Sequence, residues 1–82
     1  MIMEKVQSSN IAAVGYDEET QELRIQFHSG GTYAYKEVPR VMYQAMMELE
    51  RKNGGSVGKF YHANIKKQFE GVKVEEKVEA YE

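Results

Sequence analysis

The glycine pair in Ser29-Gly30-Gly31 constrains this chain more than any other feature, because it turns one short strand directly into the next. Upstream, Glu22 to His28 alternates polar and apolar residues, so Leu23, Ile25 and Phe27 share one strand face. Downstream, Thr32-Tyr33-Ala34-Tyr35 has the β-branched and aromatic character of a second strand. Glycine accepts the positive φ that tight hairpins require, so the two strands pair antiparallel. The length of the turn then decides where the tyrosines point. A two-residue Ser29-Gly30 turn sets Tyr33 opposite Gln26 and Tyr35 opposite Arg24. A Gly30-Gly31 turn sets them opposite His28 and Gln26. Either turn puts both rings on the polar face. A three-residue Ser29-Gly30-Gly31 loop sets Tyr33 opposite Phe27 and Tyr35 opposite Ile25, which carries both into the core.

A second hairpin precedes this one. Ile11 to Tyr16 reads as a strand, and Asp17 to Gln21 as a polar turn with aspartate at its entry. A four-residue loop would set Tyr16 opposite Leu23 and Val14 opposite Ile25, giving one coherent apolar face. After the third strand, Val38-Pro39 holds the chain extended and opens a helix from about Pro39 to Arg51. Its apolar stripe is Val41, Met42, Ala45, Met46 and Leu49. The methionines in this helix fill a small core or form an adaptable groove. Asn53-Gly54-Gly55 stops the helix, and Ser56 caps a second one over roughly Val57 to Phe69. There Val57, Phe60, Tyr61 and Ile65 face inward, while Lys59, His62 and Lys66 line one side. The expected fold is α+β: a three-stranded antiparallel meander, then two helices packed on one face. Residues 6–70 form the domain, and 71–82 an acidic tail, frayed or with one short strand at Val72-Lys73-Val74.

Eighty-two residues hold one thin core. With 41% apolar and 29% charged residues the chain falls in the globular range, and without cysteine it has neither disulfides nor thiolate metal sites. No apolar run is long enough to span a bilayer, and Met1 to Lys5 lacks the features of a signal peptide, so a cytoplasmic protein off the membrane is expected. The net charge of −2 conceals a division. Residues 1–69 hold nine basic against eight acidic side chains, and residues 70–82 two against five. Between Arg51 and Lys67 there are five basic residues and no acidic one.

The order of these pieces resembles the KTSC domain. The resemblance rests on Ser8-Ser9-Asn10-Ile11, Val14-Gly15-Tyr16-Asp17, the Leu23-Ile25-Phe27 strand, Ser29-Gly30-Gly31 and Tyr33-Ala34-Tyr35. It continues through Val38-Pro39, Val41-Met42-Tyr43 and Ser56, Gly58, Phe60-Tyr61 and Ile65, covering about residues 6 to 69. That domain is named for its place at the C-terminus of some lysyl-tRNA synthetases and also stands alone in small bacterial and phage proteins. The resemblance implies RNA binding through the synthetase context, and it marks Tyr33 and Tyr35 as a motif without assigning them a role. Two features depart from the family pattern: a longer loop over Glu50 to Gly55, and the acidic tail.

The residues themselves allow two functions. Tyr33 and Tyr35 beside Arg24 and His28 would make a stacking platform with cations for phosphates, or else ordinary packing. Lys59, His62 and Lys66 would track a phosphate backbone or simply solvate a helix face. Ser8 and Asn10 would hydrogen-bond a ligand or satisfy the backbone at a strand entry. The first function is a non-enzymatic module for RNA or single-stranded nucleic acid. The second is a small phage-type interaction protein, in which open sheet edges and an acidic tail serve a protein partner, a signalling nucleotide or a homo-oligomer. Nothing in the sequence calls for an enzyme, a cofactor or a metal: His28 and His62 have no ligand spacing with Asp17 or Glu22, and no nucleophile motif is present.

Overall fold

The computed structural model describes residues 2–53 and 57–74. Its strands are β1 (Met3–Lys5), β2 (Ile11–Asp17), β3 (Glu22–Phe27), β4 (Thr32–Tyr35) and β5 (Gly71–Lys73). All five form one antiparallel sheet in sequence order. The expected meander of three strands is therefore the centre of a larger sheet. β1 was missed because Met3-Glu4-Lys5 has no alternation to read; it is held by pairing with Ala13 to Gly15. β5 is the short strand expected near Val72, displaced by one residue. The expected acidic tail from Glu75 onward, the Ser56 cap and the Gly54-Gly55 stop lie outside the described residues.

Between β2 and β3, Tyr16 stands opposite Leu23 and Val14 opposite Ile25, across a loop of Glu18 to Gln21. The Asp17 carboxylate accepts the Glu19 N–H at 2.9 Å, the local bond that aspartate brings to such turns. A bulge between Ile11 and Ala13 shifts the register, so Ile11 lies opposite Phe27. Strict alternation from Val14 would send Ile11 to the far face. The extra residue returns it to the core, where it is fully buried.

The β3–β4 turn decides the tyrosines. Gly30 N–H donates to Phe27 O at 2.9 Å and Phe27 N–H to Gly31 O at 2.8 Å, with Gly30 at φ +114°. The loop is thus three residues long, His28-Ser29-Gly30, one step earlier than Ser29-Gly30-Gly31. Tyr33 pairs with Ile25 and Tyr35 with Leu23. Both rings share the face of the core residues, as an odd loop requires, and the two-residue registers on the polar face are excluded.

That face is covered by two helices. Helix α1 spans Arg40–Asn53. Helix α2, Val57–Phe60, continues without a break as a π-helical segment, Tyr61–Lys66. Its regular winding ends at Lys66, short of the expected Phe69. Val14, Leu23, Ile25 and Ile11 from the sheet meet Val38, Met46, Val57 and Ile65, all fully buried. Each such aliphatic contributes about 1.5–3 kcal/mol by leaving water. The α1 stripe differs from the expected one. Val41 is 66% exposed and Ala45 is exposed, while Met42, Tyr43 and Met47 flank Met46 on the inner side. Tyr43 sets this phase by stacking on Tyr16, with ring centroids 5.0 Å apart and planes within 11°. The Tyr16 hydroxyl donates to Val38 O at 2.6 Å, fixing the helix entry to the sheet. Met46 is thus core, and the remaining helical methionines pack against it.

Among the described residues no helix covers the other sheet face. By register Gly15, Arg24, Ala34 and Val72 form one row across it.

Gly71 is needed for close approach to a neighbouring ring. A Cβ there would lie 2.5 and 2.7 Å from ring carbons of Tyr35, a buried side chain with no room to retreat. Gly71→Ala should cost about 1–3 kcal/mol through overpacking. Urea unfolding would show it as a lower midpoint at unchanged slope, and an unaltered midpoint would contradict this packing.

Candidate functional site

Beside the Phe27 end of β3 a bowl opens between β4, the π-helical segment and the Ser9-Asn10 loop. This cavity has a volume of about 590 Å³. Tyr33, Phe27, Tyr61 and Tyr35 form a chain of edge-to-face rings, with successive centroids 5.9, 5.4 and 5.9 Å apart. Such T-shaped contacts match the positive edge of one ring to the negative face of the next. Phe69 and Gly71 complete the apolar lining; Ser9, Asn10, His28, Ser29, His62 and Lys66 supply the polar part. The volume falls within the usual range for small-ligand sites, and mixed aromatic and polar linings are typical of them.

Local chemistry holds each wall. The Tyr35 and Tyr61 hydroxyls share a hydrogen bond of 2.5 Å, joining β4 to the second helix. Burial, then this bond, then the neighbouring Tyr61 and Tyr33, push the Tyr35 phenol well above the usual tyrosine range, so it stays neutral. One of the pair's two protons is used internally, leaving a single O–H to donate elsewhere. His28, inside the turn, donates its Nε2–H to Ser8 O at 3.0 Å, and its backbone N–H donates to Asn10 O at 2.9 Å. The carbonyl can only accept, so Nε2 carries the proton. Ser8 Oγ accepts the N–H groups of Asn10 and Ile11, each at 3.2 Å. The loop before β2 is therefore fixed by its own serine and by a histidine from the neighbouring turn.

The π-helical winding lies directly beneath the cavity, where such loosened turns are often found in functional sites. Val57, Tyr61 and Ile65 point inward at four-residue intervals. His62 and Lys66 follow Tyr61 and Ile65 onto the rim.

Six of the residues expected from sequence converge on the bowl: Tyr33, Tyr35, His28, His62, Lys66 and Asn10. Ser8 and Lys59 line an adjoining hollow of about 480 Å³, together with Ser9, Asn10, Gly58, His62, Ala63 and Lys67. Arg24 does not join them. Strand alternation places it on the helix-free face with its Nε on Glu22 Oε2, so the platform of tyrosines beside Arg24 is corrected. Tyr33 is half-buried and Tyr35 only 4% exposed, so the rings form walls and floor rather than a surface platform. Sequence reasoning missed Phe27 and Phe69 as walls. It read Phe27 as core, and the available signal was its position at the end of β3, next to the turn. Among the described residues, no three histidine or carboxylate side chains gather as a metal site, and no helix is long and apolar enough to cross a membrane.

A sequence model of the KTSC domain matches residues 7–69. A protein of Tsukamurella paurometabola is 37% identical over 70 residues, covering 85% of this chain and 97% of that protein. An uncharacterized protein of Stutzerimonas stutzeri is 36% identical over 63 residues, covering 77% and 82%. The crystal structure of a KTSC domain protein from Yersinia pestis superposes with a TM-score of 0.77 at 33% identity, covering 90% of this chain and 97% of that one.

The Tyr35 phenol makes stability alkali-sensitive. A folded-state pKa raised above the unfolded value contributes stability that is complete below about pH 10 and lost as pH rises beyond it. Unfolding free energy from urea titrations should therefore fall above about pH 10. In Tyr35→Phe that fall should be shallower, with a loss of about 0.5–1.5 kcal/mol at neutral pH. An equally steep alkaline fall in this variant would argue against the assignment.

Proposed function

The chain belongs to the KTSC domain family, and from its cavity we propose a non-enzymatic module that binds RNA or single-stranded nucleic acid. The observation that carries this reading is the bowl of four contacting aromatic rings with Lys66, His62 and His28 on its lining. An unstacked base needs an aromatic surface to replace its lost neighbour, and its phosphate needs a cation within reach. Half-buried Tyr33 is the ring most available for stacking. Lys66 is exposed and forms no ion pair among the described residues, so its charge remains for a ligand. The sheet and second helix hold the rings in place before any ligand arrives, which lowers the ordering cost of binding.

A second reading follows from the shape of the site. The cavity is a bowl of limited volume rather than a long track, which suits a free signalling nucleotide as well as one unit of a strand. The two differ in length dependence: a strand binder tightens with oligonucleotide length, whereas a sequestering protein binds its mononucleotide or dinucleotide as tightly as any longer chain.

Fluorescence anisotropy with labelled single-stranded RNA and DNA at low salt tests the proposal. Affinity should fall as salt rises. Tyr33→Ala should weaken binding by about 1–3 kcal/mol, the value of one base stacked on an aromatic ring. Lys66→Ala should lower the salt slope by about 0.7, as expected for one lost phosphate contact on a single strand. No anisotropy change with any homopolymer or nucleotide would remove both readings.

A further inference from the structure

The hollow beside the aromatic bowl has a different chemistry. Lys59 and Lys67 lie on its rim, Ser8 and Gly58 on its inner side, and among the described residues no carboxylate lines it. Neither lysine forms an ion pair among the described residues. An ammonium group can only donate hydrogen bonds. Ser8 is equally committed, for its Oγ already accepts two backbone N–H groups, and only its O–H proton is left to offer. No described residue accepts that proton. A serine with both acceptor sites used suits an anion and repels a cation.

Glycine at position 58 keeps this wall open. A Cβ there would stand 3.3 Å from Ser8 Oγ, tighter than ordinary contact. The helix backbone therefore comes close to the Ser8 loop with no side chain between them. The hollow and the bowl share Ser9, Asn10 and His62, so the two spaces adjoin.

We propose that the Ser8–Lys59–Lys67 hollow is a phosphate subsite, which receives the phosphodiester attached to the base held in the aromatic bowl. The choice of a phosphodiester over another anion rests on the nucleic-acid reading: base and phosphate of one nucleotide are joined by a single sugar, and the two spaces meet at His62. The site then fixes strand direction, with the base between Tyr33 and Tyr61 and its phosphate toward Lys59 and Lys67. Lys66 meets the next phosphate at the other rim.

Pyrophosphate titration followed by backbone amide NMR tests the subsite without any base. Amides of Ser8, Ser9, Asn10 and Lys59 should shift saturably, and the shifts should vanish in the Lys59→Gln/Lys67→Gln double variant. Both lysines are exposed and form no ion pair among the described residues, so the variant should retain its fold and its otherwise unchanged amide spectrum. With a bound oligonucleotide, the same variant should lower the salt slope by roughly 1.4, about 0.7 for each contact. Absent shifts, or shifts that persist in the double variant, overturn the subsite. Equal shifts with a triglutamate peptide overturn the phosphate assignment in favour of carboxylate recognition. If pyrophosphate shifts these amides while no oligonucleotide binds, the subsite stands and the nucleic-acid reading falls.

Discussion

The Tyr35 ring is the point on which the rest of the structure depends. It projects from β4 onto the helix-covered face, carries the Gly71 backbone against one side and bonds through its hydroxyl to Tyr61. Three elements distant in sequence are joined by this one side chain. The same ring is the floor of the cavity, so the contact that closes the domain also shapes its candidate site. Sheet, second helix and last strand cannot shift independently without changing the bowl.

Polar groups around the site divide into those that hold the structure and those that remain free. His28 Nε2 and the acceptor sites of Ser8 are spent on the loop before β2, which they fix with backbone bonds of about ordinary length. Lys59, Lys66 and Lys67 are not spent in this way among the described residues. Exposed ion pairs elsewhere, such as Arg51 with Glu48, contribute little to stability. The charge that matters lies where it has no internal partner, and the acidic excess of the sequence is carried mainly beyond residue 69. This separation explains how a chain of net charge −2 can present a basic rim.

The Arg24 outcome shows the limit of adjacency in sequence. Arg24 and Tyr35 are near one another in two strands that touch, yet alternation sends them to opposite faces. One residue of turn length makes that difference, since an even loop would have brought them together. The bulge between Ile11 and Ala13 acts similarly at the other hairpin, returning Ile11 to the core against strict alternation. Neither the loop's membership nor the bulge is written in any single residue type. Both follow from which register buries the most apolar surface under two helices.

By itself, the sequence determined the elements that rest on local chemistry. The Leu23-Ile25-Phe27 alternation, the Asp17 turn, the Val38-Pro39 helix entry and the glycine-built reversal near Gly30 each act within a few residues, and each was legible. The sequence also singled out Tyr33, Tyr35, His28, His62, Lys66 and Asn10, which the fold brings together around one cavity. Tertiary structure alone decided how these pieces face one another. It added β1, whose short sequence forms a strand only because the β2 edge offers hydrogen bonds, and it set the bounds of β5. It turned Val41 out and Tyr43 in, because a ring stacking on Tyr16 outweighs a single valine in setting helix phase. It also placed Phe27 and Phe69 in the walls of a cavity, since a cavity is the space left between elements, and no stretch of sequence encodes that space directly.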